Sequence, residues 1–139
     1  MTTSTPKAQW RSSPPLYHYL GFELDSIGDG AAQVRVPVQT DLSNSRGEVH
    51  GGALSAVADA AMSQAVRTLI DVEMGVATMT LVMNFLAPAR GEVICKATVR
   101  KSGRSVMFAE AEVIGSDGVL ACTASASFRI LPKSVYHKK

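Results

Sequence analysis

One long helix enclosed by a curled antiparallel sheet, an α+β architecture, is the fold this sequence predicts. Three observations predict it. The stretch Asn44–Ile70 (NSRGEVHGGALSAVADAAMSQAVRTLI) passes from a polar, glycine-containing turn into a proline-free run of mostly Ala, Val, Leu and Met. A helix that is apolar almost all round belongs inside a domain. The segments after it alternate apolar and polar residues across short glycine-containing turns, the pattern of an antiparallel sheet. With one buried helix available, a sheet of about five to six strands must wrap around it.

The elements follow in chain order. Met1–Pro15 is rich in Ser, Thr and Pro and reads as a flexible lead, and Leu16–Leu20 as a short helix or turn after two prolines. Phe22–Ile27 is a short strand, turned at Gly28-Asp29-Gly30. In QVRVPV, Val34, Val36 and Val38 share one face, and Pro37 marks an edge or a strand end. The central helix should run from Gly51 or Gly52 to about Leu69, roughly 28 Å. Val76–Leu86, Glu92–Lys101, Arg104–Ile114 and a last strand carrying Leu120, Cys122, Ala124, Ala126, Phe128 and Ile130 on one face then form a four-strand meander. Residues 16–132 make a single domain, and 133–139 a basic tail.

Composition excludes several functions. A net charge of +2 and one Trp argue against a nucleic-acid partner. Cys95 and Cys122 have no CxxC spacing and read as small core residues in a reducing compartment. No apolar run approaches the ~20 residues of a membrane span, and the N-terminus lacks an apolar signal core, so the expectation is a cytoplasmic protein with no membrane partner. His18, His50 and His137 are scattered and form no metal cluster, so no metal is expected. There is no GxSxG elbow, Walker loop or dinucleotide fingerprint.

The central helix carries one polar ridge: Ser55, Asp59, Ser63 and Arg67 at i, i+4, i+8 and i+12. Asp59 lies two turns in, too deep to cap the helix or to gain much from its dipole. A carboxylate there is either chemistry or a salt bridge, for instance to Arg67, or the face is wetter than its neighbours suggest. His50-Gly51-Gly52 stands at the helix start. Free amides and close backbone approach would suit an anion or oxyanion; a tight turn with a structural histidine is the other reading. Asn44 is either an ordinary turn residue or part of the site. Thr80 and Asn84 share a face of a strand otherwise full of Met, Leu and Val, facing a cleft or bonding a neighbouring backbone group. Arg90, Arg100, Lys101 and Arg104 gather at hairpin ends, as solvated charge or as a basic rim for phosphates.

These residues resemble a known family. N-x-x-G-x-V-H-G-G-A-L-x-x-x-x-D-x-A, here Asn44 to Ala61, is similar to the signature of hotdog-fold acyl-CoA thioesterases of the phenylacetate-degradation type. The resemblance extends from about Leu20 to Leu131, through Thr80–Leu86 before Pro88 and through Arg100-Lys101-x-Gly103-Arg104. It implies a helix wrapped by an antiparallel sheet, and a homodimer that often pairs again into a homotetramer. The active site would lie between chains, with Asn44–Gly52 from one subunit and Asp59 from its partner. It implies Asp59 as general base or nucleophile and Gly51 N–H polarising the thioester carbonyl. His50 shapes the turn, Asn44 orients water or holds the loop, and Thr80 helps to position water. Gly52, Met62 and Ser63 would line the substrate. Arg90, Arg100, Lys101, Gly103 and Arg104 would meet coenzyme A, which is part of the substrate and leaves no separate cofactor to be supplied. Met62, Met79 and Met83 would suit an aromatic or medium-chain acyl group.

Two other functions fit the same fold. A hotdog protein that binds acyl-CoA without turnover would show tight CoA-ester binding and no thiol release. A hotdog enoyl-CoA hydratase or dehydratase would change absorbance at the enoyl band.

Overall fold

The structure, a computed structural model, describes residues 7–133. A short helix α1 (Pro15–Tyr19) leads into strands β1 (Glu23–Gly28) and β2 (Ala31–Val36). The long helix α2 (Gly51–Arg67) follows, then β3 (Gly75–Phe85), β4 (Val93–Ser102), β5 (Val106–Gly115) and β6 (Leu120–Leu131). The six strands form one antiparallel sheet in the order β1-β2-β4-β5-β6-β3. This is the α+β wrapped-helix architecture that the sequence predicts.

The meander is a correction. Of the four strands after α2, only β4, β5 and β6 follow one another as neighbours; β3 pairs with β6 at one edge, and β2 pairs with β4. The segment between β3 and β4 carries Pro88 and a left-handed Gly91 (φ 72°), and it crosses between strands instead of folding back as a hairpin. Alternation identifies strands but does not order them.

Helix α2 lies against one sheet face because both surfaces are built from small residues. Ala58, Ala60, Ala61 and Ala65 are buried on the helix, and Ala97, Ala109, Ala111, Ala124 and Ala126 on the strands. Larger groups, Phe128, Met62, Val34, Val57 and Val113, fill the spaces between them without exposure. Pro37 ends β2, one of the two places the sequence allowed for it.

Where it is described, the lead packs against the domain. Ala8 and Trp10 pack against the core, and the Trp10 ring lies 5.0 Å from that of Tyr17. The fully buried Gln64 accepts from Arg11 N–H at 2.7 Å and donates to Ser12 carbonyl at 2.9 Å. A buried amide needs both its donor and its acceptor satisfied, and this strap of chain supplies both. Residues 1–6 of the expected lead and 134–139 of the expected tail lie outside the described residues. Lys133 is ion-paired to Asp71 at 3.3 Å and Glu73 at 2.8 Å. No helix among the described residues is long and apolar enough to cross a membrane.

Candidate functional site at the start and middle of the central helix

The loop before α2 is drawn tight by its own polar groups. The Asn44 side-chain oxygen accepts from Arg46 N–H at 2.9 Å and Glu48 N–H at 3.1 Å. The Asn44 N–H donates to Glu48 carbonyl at 2.7 Å, and Gly47 takes the left-handed turn (φ 77°). Val49 N–H is tied to Ala89 carbonyl and His50 N–H to Leu42 carbonyl, both at 2.7 Å. Asn44 therefore holds the loop through its oxygen, one of the two roles expected of it.

His50 is the N-cap of α2. Its Nδ1 accepts from Gly52 N–H at 2.8 Å, which leaves Nε2 as the nitrogen that can carry the ring proton. A Cβ on Gly52 would stand 3.0 Å from that Nδ1, so residue 52 must be small for the cap to close. The Gly52 N–H is taken by the cap, so it is not one of the free amides expected at the helix start. Gly51 N–H has no hydrogen-bond partner among the described residues. It stands at the positive end of a 17-residue helix, over a cavity of about 390 Å³ walled by Leu54, Phe85, Leu86 and Pro88, with Asn44, Arg46 and Glu48 on its polar side.

Asp59 sits two turns further on. It is half-buried, as are Ser55, Ser63 and Arg67, so the ridge is the open side of the helix and not a sealed one. Asp59 Oδ1 accepts from Thr78 Oγ1 at 2.7 Å. No Asp59–Arg67 salt bridge occurs among the described residues. Tyr17, the buried residue of α1, reaches the same ridge. Burial pushes its phenol above the ordinary range, hydrogen bonding to Gln64 opposes this, and the nearby Asp59 charge raises it further.

Thr80 is a correction. A β-bulge at Met79 shifts the register between Thr78, opposite Phe128, and Thr80, opposite Ser127. Phe128 faces the helix, so Thr78 does too. Thr80 is thrown to the outer face, where it bonds Ser127 Oγ at 2.7 Å. Asn84 is on that outer face as well, 3.3 Å from Thr123 Oγ1. Met62 is fully enclosed in the core, a second correction to the expected substrate contacts. Ser63 remains on the half-buried ridge.

The basic rim is split. Arg90 stands beside the α2 start, 3.5 Å from Glu48. Arg100 is on the outer sheet face, 3.5 Å from Glu110, and Lys101, Gly103 and Arg104 belong to the exposed β4–β5 hairpin. That hairpin lies at the end of the sheet where β6 ends, since Ser105 carbonyl accepts from Ile130 N–H. Phe85, beside Gly51, pairs with Cys122 near the start of β6. The hairpin and the Gly51 turn are therefore at opposite ends of one chain. A Cβ on Gly103 would fall 2.5 Å from the Val106 carbonyl, so this glycine serves the turn.

Sequence reasoning missed Glu48, Arg46, Thr78, Tyr17 and Gln64. Gln64 alone carried a signal, as an amide off the polar ridge of an apolar helix. Thr78 is separated from Thr80 only by a bulge, which no alternation pattern locates.

Known proteins resemble this chain in sequence and fold. A thioesterase superfamily model matches residues 46–122, more than half of the chain and including Gly51 and Asp59. A protein of Halobacterium salinarum, provisionally named as an esterase, is 36% identical over 104 residues, covering 71% of this chain and 69% of that one. The structure of a conserved protein from Pseudomonas aeruginosa matches with a TM-score of 0.83 at 32% identity, over 89% of this chain and 99% of that one. A thioesterase family protein from Silicibacter pomeroyi matches with 0.81 at 30%, over 85% and 90%. E. coli PaaI, from the phenylacetic acid degradation operon, shares the fold with 0.79 at 20%, over 86% of each chain. The chain belongs to the thioesterase superfamily and has its hotdog fold.

Proposed function

We propose that this protein hydrolyses acyl-CoA thioesters to free acid and CoA, with Asp59 as general base or nucleophile and Gly51 N–H polarising the carbonyl. The observation that carries the reading is the Gly51 N–H, without a partner among the described residues, at the positive end of α2 beside a cavity with one apolar and one polar wall. Thioester hydrolysis builds negative charge on the carbonyl oxygen, and an oriented amide there can contribute about 3 kcal/mol. Asp59 is half-buried, hydrogen-bonded and oriented by Thr78, which suits a carboxylate that must hold one geometry. Carboxylate, amide and water suffice for this chemistry.

The reading requires two copies of the chain. Gly51 and Asp59 are eight residues apart on one helix, about 12 Å along its axis. They cannot serve one carbonyl together, because a base must come within about 3 Å of its target. A second copy brings its own Gly51 to this Asp59. Strand β3 supports such pairing: it is an 11-residue sheet edge with Met79, Val82 and Phe85 exposed. An edge so long and apolar is one that a partner strand covers. We infer a homodimer joined through β3, able to pair again into a tetramer.

The test is thiol release from phenylacetyl-CoA and hexanoyl-CoA by the wild-type chain and by Asp59→Asn. Release by the wild type and a loss of ~10²–10⁴-fold in the variant are expected. Equal turnover by the two proteins overturns the mechanism.

A further inference from the structure

We propose that Arg67 selects acyl groups that end in a carboxylate, its guanidinium pairing with that distal anion while the thioester carbonyl lies at Asp59. The inference rests on the acyl-CoA reading above and names the class of acyl group.

Arg67 is the single cation of α2. It is half-buried, and its Nε is hidden from solvent with no hydrogen-bond partner among the described residues. None of the ion pairs among the described residues uses its guanidinium. A guanidinium cannot shed its charge, so a hidden donor of this kind is costly until an acceptor meets it. The last turn of a helix suits a cation, but the helix field alone gives Nε no acceptor. A ligand oxygen supplies what is missing, and a planar carboxylate matches the guanidinium fork.

The ridge joins this group to the reacting position. Asp59, Ser63 and Arg67 follow one another at single-turn spacing, so they form a row on one helix face. Asp59 and Arg67 are about 12 Å apart along the axis. Helix side chains lean toward the N-terminus, so the long arginine reaches back over Ser63 and shortens that gap. What remains suits a short acyl chain. Tyr17 walls the same stretch from α1: its phenol has Gln64 and Ser63 as hydrogen-bonding neighbours and feels the charges of both Asp59 and Arg67. On the other side of Asp59 the ridge is quiet, because Ser55 Oγ donates to Gly51 carbonyl at 2.8 Å. The polar groups left for a ligand therefore lie on the Arg67 side.

The end of the row has room for a small anion. A cavity of about 70 Å³ adjoins Arg67, with Arg11 as a second cation and Met74 on its wall. That volume admits a carboxylate and is too small for a ring system or a nucleotide. Asp71, the acid on the same wall, is engaged by Lys133 at 3.3 Å.

The experiment compares adipoyl-CoA with hexanoyl-CoA, two acyl chains of equal length that differ in the terminal carboxylate, on the full chain. Thiol release by the wild type should favour adipoyl-CoA in kcat/KM by roughly tenfold or more, the worth of one hydrogen bond to a charged group. Arg67→Met keeps side-chain length and helix preference, and should collapse that ratio mainly through KM. Arg67→Lys should keep part of it. A wild-type chain that turns over hexanoyl-CoA as well as adipoyl-CoA overturns the proposal before any variant is made, so unfolding of Arg67→Met does not shield it. A loss shared by both esters places Arg67 against CoA or the partner subunit; it leaves the ratio unchanged and overturns the proposal too. Titration calorimetry with the two esters on Asp59→Asn and on Asp59→Asn/Arg67→Met separates selection from hydrolysis. Tighter binding of adipoyl-CoA that depends on Arg67, with no thiol release by the wild type, leaves the selection standing and removes the hydrolytic reading. Equal release from both esters does the reverse.

Discussion

Thr78 donates a 2.7 Å hydrogen bond to Asp59 across the gap between β3 and α2. The contact exists because the Met79 bulge turns Thr78 inward and Thr80 outward. It fixes one carboxylate oxygen, while the other has no hydrogen-bond partner among the described residues. Thr78→Val should keep the fold and lower kcat roughly tenfold, the expected effect of losing one hydrogen bond to a charged group. Thr80→Val, on the opposite sheet face, should change kcat by no more than about twofold. A steady-state comparison of the two variants decides the matter. A larger loss from Thr80→Val would mean that the site uses the other face.

Gly51 can be tested without disturbing the helix. It occupies the first helical position, where proline is well tolerated, and His50 before it is already extended (φ −62°, ψ 139°), as a residue preceding proline prefers. A Cβ at 51 would meet only the Phe85 ring, at 3.4 Å. Gly51→Pro should therefore fold with stability within about 0.5 kcal/mol of wild type. It should lose turnover by roughly 10²–10³-fold, because the donor is gone. Mixing this variant with Asp59→Asn should restore activity, since a mixed dimer regenerates one complete site. No recovery on subunit exchange would overturn a site shared between two chains.

Much of this was legible in the residues because burial follows simple periods. The α2 run was apolar on nearly every side, and its boundaries came within two residues. Alternation located every strand, while strand order depended on crossings that no period records. Asp59 and Gly51 were recognisable as a carboxylate and an amide without local partners. Thr78 was not, because one extra residue in β3 reverses which threonine faces the helix. Glu48 carried no signal, because its burial and its sharing between two arginines depend on Arg90 approaching from a distant loop.

His50 should matter first for stability. Its ring supplies the only side-chain cap on α2, through Gly52 N–H. His50→Ala should lower unfolding stability by about 1 kcal/mol, and His50→Asn, whose oxygen can accept the same bond, should recover most of it. Urea denaturation curves for the three proteins check this. Equal midpoints for all three would show that the cap is dispensable.

Gln64 should anchor the N-terminal strap. It is fully buried and bonds Arg11 N–H and Ser12 carbonyl. Gln64→Leu keeps the volume but leaves those backbone groups unpaired, at a cost of about 1–3 kcal/mol. Amide exchange at Arg11 should accelerate while exchange in β5 stays slow. Slow exchange at Arg11 in the variant would assign the strap to Trp10 packing instead.

Two cysteines make the folded protein sensitive to alkaline pH. Burial pushes the Cys95 thiol up to about 12 from an ordinary value of 9.0, and burial raises Cys122 in the same direction. At pH 8 the buried Cys95 thiol stays protonated, so a disulfide reagent should modify it only after unfolding. The linkage has a definite sign. Between its unfolded value near 9 and its folded value near 12, Cys95 binds more protons folded than unfolded. Its stabilising contribution is complete below pH 9 and is lost as pH rises toward 12, by up to about 1.4 kcal/mol per pH unit. Denaturation midpoints should therefore fall above pH 9 in the wild type and fall less steeply in Cys95→Ala. Parallel slopes for the two proteins would exclude Cys95 as the titrating group.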